Sequence, residues 1–223
     1  MFAFIKKFLF VHKLIFKGYS LLRIAQINEV KRIEINGSVL DLGSKKSVTN
    51  VTNYLNTKNK IVYGDNYSED PDDLKIDLEK VGQLNGIKYD NILLLNVLEH
   101  IFDYKSCLQN CHSILNKNGK FFGSTPFIFR IHGSPQDYFR YTDDALKRLL
   151  DDSGFKEIEI KILEGGIFAC FYSSISTITR KIPFLNNILL IICQTLDKCV
   201  YLFSKSMKKI FPLGYFFYGE KWI

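Results

Sequence analysis

The chain has 223 residues, 47% of them hydrophobic, which excludes a disordered chain and suffices for one α/β domain with additions. Five cysteines with no CxxC pair argue against a disulfide framework and fit a reducing compartment. Of the net charge of +7, residues 1–32 hold seven Lys/Arg against one acid, residues 33–166 hold 16 against 20, and residues 167–223 hold seven against two. An acidic middle between basic ends is not the footprint of a nucleic-acid groove.

Residues 1–28 are apolar between lysines, with Phe2, Phe4, Ile5, Phe8, Leu9, Phe10, Val11, Leu14, Ile15 and Phe16. Lys6, Lys7, Lys13 and Lys17 break every run well short of the roughly 20 apolar residues of a spanning helix. The uninterrupted apolar region and small-residue cleavage site of a signal peptide are missing. Lys6, Lys13 and Lys17 share one stripe of a predicted helix, which suits an anionic membrane interface. A helix covering the sheet or a partner chain fits equally.

Val39–Leu42 reads as a first buried strand running into a turn at Gly43 and Ser44, and Ser47–Asn56 as a weak helix. Strand, glycine turn and helix together make the geometry that offers backbone N–H groups to a nucleotide. Lys60–Asp65 predicts a second strand ending on an acid about 20 residues after the turn, where a carboxylate meets ribose hydroxyls. After the acidic loop of residues 66–73, Leu74–Leu78 predicts a short third strand or its exit. Ile92–Leu95 is a continuous apolar run, the mark of a strand covered on both faces. It exits through Asn96 into Val97-Leu98-Glu99-His100. A helix is expected from Tyr104 to Asn116, stopped at Lys117-Asn118-Gly119. Cys107, Cys111 and His112 have spacing that a metal could use, but their apolar stripe reads as core.

Lys120–Pro126 predicts the next strand. The loop Phe127–Thr142 collects Arg130, His132, Asp137, Tyr138, Arg140 and Tyr141. Thr142 is an N-cap for a helix over Asp143–Ser153, with Gly154 beyond its end, and Ile158, Ile160 and Ile162 alternate as in a part-exposed strand. After Gly166 the chain turns apolar and basic. A helix is expected from Asn186 to about Ser206, with Asn187, Gln194, Asp197, Lys198, Tyr201, Lys205 and Lys208 on one face. Its longest unbroken apolar run, Ile188–Cys193, is too short to span a bilayer. Leu213–Tyr218 reads as the last strand.

This order predicts an α/β fold: a doubly wound, mostly parallel, seven-stranded Rossmann-like sheet with helices on both faces and apolar, basic helical additions at both ends. Residues 1–32 form the N-terminal amphipathic segment and residues 33–166 the core. Residues 167–223 supply a helical insertion and the final strand. DLGS after strand one, the acid after strand two, YDNILLLNVLEH, ILNKNGKFFGSTPF and HGSPQDYFRYT together resemble the class I S-adenosylmethionine-dependent methyltransferases. The resemblance covers residues 33–166. Within that class the chain looks like small enzymes associated with cell-surface polysaccharide synthesis.

The resemblance implies S-adenosylmethionine as cofactor. Asp41, Gly43 and Ser44 would shape the pocket for its methionine part, Asp65 would bind the ribose, Asp77 and Leu78 would flank the adenine, and Asn96 would approach the sulfonium region. Glu99 and His100 match the family's LEH and are expected to cap the following helix and tie down the turn. Lys45, Lys46 and Ser47 stand where the family has further glycine. For an oxygen acceptor, His132 is the expected general base, and Asp137 would orient it or hold substrate hydroxyls. Arg130, Tyr138, Arg140 and Tyr141 would hold substrate, with an architectural latch as the alternative for the DYFRYT stretch; no metal is required. The expected reaction is O-methylation of a glycan or sugar precursor, in the cytoplasm at the inner face of the membrane. The alternatives are a lipid or quinone acceptor, or a non-catalytic scaffold. Residues 1–28 and 186–209 are expected to meet an anionic membrane or to pair two chains; no nucleic-acid partner is expected.

Overall fold

The computed structural model describes residues 2–45, 50–80, 86–133 and 135–222. In chain order the elements are α1 (Phe2–Phe16), α2 (Leu21–Val30), β1 (Val39–Leu42), β2 (Ile61–Gly64), β3 (Tyr89–Leu95), α3 (Tyr104–Ile114), β4 (Leu115–Pro126), α4 (Asp143–Asp152), β5 (Lys156–Ile162), α5 (Ile167–Thr179), α6 (Pro183–Phe203), α7 (Met207–Ile210) and β6 (Gly214–Glu220). The chain divides into two compact units. One comprises Met1–Asn28, Ile128–Arg130 and Ile162–Gly214; the other comprises Glu29–Phe127, Ile131–Lys161 and Tyr215–Ile223.

The second unit is built on a sheet of order β2-β1-β3-β4-β6-β5. Leu40 of β1 pairs in parallel with Val62 of β2 and Ile92 of β3, and Leu93 pairs in parallel with Phe122 of β4. Val39, Leu40, Leu42 and Ile92 through Leu94 are fully buried, as expected of strands covered on both faces. β6 enters against the grain. Asn118 donates to the Lys221 carbonyl and Lys221 donates back to Gly119, so the start of β4 meets the end of β6. Close approach there requires Gly123, because a Cβ at that position would overlap the Phe217 ring.

The sheet is therefore mixed, with the parallel pairs β2-β1, β1-β3 and β3-β4, and has six strands among the described residues instead of seven. The missing strand is Leu74–Leu78. Only Leu74 bridges to Gly64, after which Asp77 accepts from the Glu79 N–H and turns the chain away. Two helix expectations also shift. The stretch before Asn56 contains a single 3-10 turn, Val51–Tyr54, capped by the Asn50 side chain, and residues 46–49 lie outside the described set. α3 ends at Ile114; Asn118 (φ 59°), not Gly119, takes the left-handed conformation, inside β4. At α4 the Thr142 cap and the left-handed Gly154 stand as expected.

Asp90 ties β1, β3 and β4 together at their entry. Its carboxylate accepts from the Ser38 N–H (2.8 Å), the Ser38 hydroxyl (2.9 Å) and the Asn116 amide (2.7 Å). The Asn116 and Ser38 hydrogen bonds pull the Asp90 carboxyl below its usual range. A depressed folded-state pKa means stability that is complete above about pH 4 and disappears as pH falls through the folded value. Asp90→Ala should therefore lower stability by about 2 kcal/mol at neutral pH. That difference should shrink in acid melts below pH 4; a pH-independent difference would contradict the assignment.

In the first unit, α5 begins after Gly166 (φ 123°) without a side-chain cap of its own. Asp197 of α6 supplies one from outside, accepting from the Phe168 and Ala169 N–H groups at 3.0 and 2.7 Å. His12 Nδ1–H donates to the Asn187 side-chain oxygen at 2.7 Å and joins α1 to α6. Asn186, Asn187 and Asp197 are consequently buried, while Phe184, Leu185, Ile188, Ile191, Ile192 and Leu196 are exposed. The expected polar face of α6 is thus partly its packing face. The short-run argument against spanning is also corrected: α6 has 21 residues and a mean hydropathy of 1.2, long and apolar enough to cross a membrane by length and composition.

Candidate active site

Parallel order β2-β1-β3-β4 puts the topological switch point between β1 and β3, where doubly wound sheets bind ligands beyond the strand carboxyl ends. Gly43 follows β1 with φ +69°, and a Cβ there would enter the Val97 side chain. Glycine is required by both conformation and space. The Ser44 hydroxyl accepts from Asn50 Nδ2 at 2.7 Å, and the same amide reaches the Lys45 carbonyl at 3.2 Å. Asp41 is buried; its Oδ2 accepts from the Thr52 hydroxyl at 3.2 Å and lies 3.5 Å from Asn50 Nδ2, which makes it the anchor of this turn.

Asp65 follows β2, half-buried, with Oδ1 accepting from the Tyr67 N–H at 2.7 Å. Asn96 follows β3 in the left-handed region (φ 56°), an uncommon conformation that a short polar side chain tolerates; it bonds Ser124 on β4. Gly43, Asp65 and Asn96 thus follow the carboxyl ends of three adjacent strands. Asp77 and Leu78 lie on the segment bridged to β2. Asp77 forms an ion pair with Lys80 at 3.2 Å, and the Leu78 carbonyl accepts from Asn110 of α3. Lys46 lies outside the described residues, and Lys45 is exposed.

Just past β3, Leu98–His100 forms a 3-10 turn, and the loop from His132 folds back onto it. The Tyr138 and Phe139 N–H groups both donate to the Glu99 carbonyl, at 2.8 and 3.3 Å. The loop wraps around Asp137, whose carboxylate accepts from the His132 N–H (2.9 Å) and from both guanidinium nitrogens of Arg140 (2.5 and 2.7 Å). Arg140 and the His132 N–H hold the Asp137 carboxyl well below the usual carboxylate range, against the opposing effect of burial. His132 Nδ1 lies 3.2 Å from Asp137 Oδ2, so Asp137 orients the imidazole as expected.

Glu99 was expected to cap α3. It does not: the cap is Asp103, whose side chain accepts from the Ser106 N–H. Glu99 is instead fully buried, with His100 Nε2 and His132 Nε2 each 3.7 Å from its Oε1. Sequence reasoning missed Glu99 and His100 as site residues, although their adjacency to β3 in VLEH was the available signal. Tyr141 is buried, bonds the Leu98 carbonyl through its hydroxyl, and has its phenol pushed far up by burial; it is the latch. Tyr138 is 45% exposed and meets exposed Phe102 edge-on at 5.3 Å. Arg140 is committed to Asp137. Arg130 is exposed, lies with the 128–130 segment of the first unit beside Tyr172 and Arg180, and is not one of the second unit's site residues. Cys107 and Cys111 are fully buried and His112 packs edge-on against Phe155, a core arrangement.

No family model matches the sequence. Among curated proteins, the polyketide synthase ThaQ of Burkholderia thailandensis is 28% identical over a 104-residue alignment covering 37% of this chain and 5% of the synthase. Solved structures match along nearly the whole chain. A SAM-dependent methyltransferase from Archaeoglobus fulgidus has a TM-score of 0.53 at 14% identity, covering 87% of this chain and 89% of that one. The 1,6-didemethyltoxoflavin-N1-methyltransferase of Burkholderia thailandensis, with S-adenosylhomocysteine bound, has 0.53 at 15%, covering 91% and 79%. The (4+2)-cyclase SpnF has 0.55 at 12%, covering 91% and 81%. The chain spans about half (52%) of two Haemonchus contortus phosphoethanolamine methyltransferase structures that it also matches. The fold is that of the class I S-adenosylmethionine-dependent methyltransferases.

Proposed function

We propose that this chain is an S-adenosylmethionine-dependent methyltransferase acting on a hydroxyl of a glycan or sugar precursor. The observation that carries the reading is the β1/β3 switch point. Gly43, Asp65 and Asn96 follow the carboxyl ends of three adjacent strands, and the Glu99–His132 cluster begins three residues past Asn96. The donor set suits the cofactor: backbone at Gly43 and Ser44 for its methionine part, Asp65 for ribose hydroxyls, Asp77 and Leu78 beside the adenine, Asn96 toward the sulfonium. The cofactor, when bound, supplies an electrophilic methyl group. The fold alone leaves room for other chemistry, since a cyclase shares it.

The chain's own work is to position an acceptor and take its proton. His132, with Nδ1–H turned to Asp137, offers Nε2 as the proton acceptor. The exposed pair Tyr138 and Phe102 supplies an aromatic surface that suits a sugar ring, which favours a glycan over a lipid acceptor. The protein should transfer labelled methyl from S-adenosylmethionine to a hydroxyl-bearing sugar or sugar-nucleotide in an acceptor panel. Transfer only to lipid or quinone acceptors would contradict the substrate class.

We further infer that the first unit meets an anionic lipid surface. The exposed apolar side chains of α6, with Lys198, Lys205, Lys208 and Lys209 in and after it, favour this reading. The full chain should sediment with anionic vesicles and be partly released by salt. Equal sedimentation with neutral vesicles would remove the electrostatic part.

A further inference from the structure

We propose that Glu99, His100 and His132 form a binding site for one divalent cation of the zinc, manganese or cobalt class. Glu99 is fully buried and, among the described residues, neither of its oxygens accepts a hydrogen bond. A carboxylate withdrawn from water in this way needs a positive charge facing it. The Arg140 guanidinium acts on Glu99 electrostatically but makes no hydrogen bond to it, and what lies nearest Oε1 is a pair of imidazole nitrogens, His100 Nε2 and His132 Nε2, each at 3.7 Å.

The protons on those rings are fixed from behind. His100 Nδ1 is 2.5 Å from the Gln136 carbonyl oxygen, an atom that only accepts, so Nδ1 carries the proton. His132 Nδ1 lies 3.2 Å from the Asp137 carboxylate, and the same tautomer follows. With Nε2 unprotonated, as ligation requires, each ring turns a lone pair toward Glu99. Three electron-pair donors converge without a hydrogen bond among them, an arrangement that a cation relieves.

The donor atoms of the three residues all lie within 4.8 Å of one another, and small side-chain rotations would close them around an ion with bonds of about 2.0–2.2 Å. Imidazole N–H groups held by a carbonyl and a carboxylate are the outer arrangement that orients metal-binding histidines. Two imidazoles and one carboxylate favour transition-type ions over magnesium or calcium. Three protein ligands also leave a position for water or an acceptor oxygen, whose proton the ion would acidify. Ligation and proton acceptance by His132 Nε2 exclude each other, so the ion takes over activation of the acceptor when bound.

The test uses the full chain, stripped by chelator, titrated calorimetrically with Zn²⁺ and followed by Co²⁺ absorption, without cofactor or acceptor. One saturable site per chain is expected, with a rise in Tm on binding. His100→Ala and Glu99→Gln should abolish it, and Asp137→Asn should weaken it by about 10–100-fold. Should Glu99→Gln fail to fold, His100→Ala decides, because that side chain, unlike Glu99, is not fully buried. No saturable binding by folded wild type would mean that protons, not a metal, offset Glu99, and would overturn the proposal. Binding unchanged in His100→Ala, or a cobalt–thiolate band, would overturn it too. Neither cofactor nor acceptor is present, so failure of the methyl-transfer reading would leave this result untouched.

Discussion

His132→Ala is expected to lower turnover by about a hundredfold to ten-thousandfold, the range that a positioned acid–base group contributes. The fold should survive. Asp137 keeps both Arg140 contacts and the His132 backbone N–H, none of which depends on the imidazole. Cofactor binding should persist as well, because Gly43, Asp65 and Asn96 belong to the strand ends and not to this loop. The expected pattern is a near-normal melting curve and near-normal S-adenosylhomocysteine affinity with turnover lost. The effect is the same whether His132 takes the proton itself or holds an ion that acidifies the acceptor. A variant with full activity would remove the loop from the chemistry and make the cluster architectural.

The second large effect is expected at Asp65. A carboxylate accepting from two ribose hydroxyls makes charge-assisted bonds of about 1.5–3 kcal/mol each, so Asp65→Ala should weaken S-adenosylhomocysteine by at least about tenfold. Its structural loss is small, a single acceptor for the Tyr67 N–H. Equal affinity in variant and wild type, measured by the same titration, would move the ribose away from the end of β2.

The core strands were legible because burial on both faces leaves an unbroken apolar run. Ile92–Leu94 carried that signature and are fully buried. Leu74–Leu78 alternates apolar and charged residues instead, and it failed as a strand because a strand also needs a partner along its length and the turn at Asp77 ends the pairing after one bridge. Asn118 displaced Gly119 at the left-handed position because an asparagine tolerates that conformation when tertiary bonds to Lys221 hold it. α6 was harder. Helical periodicity identifies two faces but not which one is inward, and here Asn187 and Asp197 point inward because His12 and the α5 N-terminus need acceptors.

At the site, Asp65, Asn96 and the His132–Asp137 pair could be read from position relative to strands and from a short loop motif. Glu99 could not. Its neighbours in sequence suggest a helix cap, and only the return of a loop more than 30 residues later shows that a second histidine faces it. Arg140 was legible only as two alternatives, substrate ligand or latch, and its pairing with Asp137 three residues away fits the latch.

The most direct test of the central claim is calorimetric titration of the purified chain with S-adenosylhomocysteine. Saturable binding at one site per chain, weakened in Asp65→Ala and unchanged in His132→Ala, is the predicted result. No binding to a protein that melts cooperatively would contradict the methyltransferase reading and leave a methyltransferase-like fold serving as a scaffold.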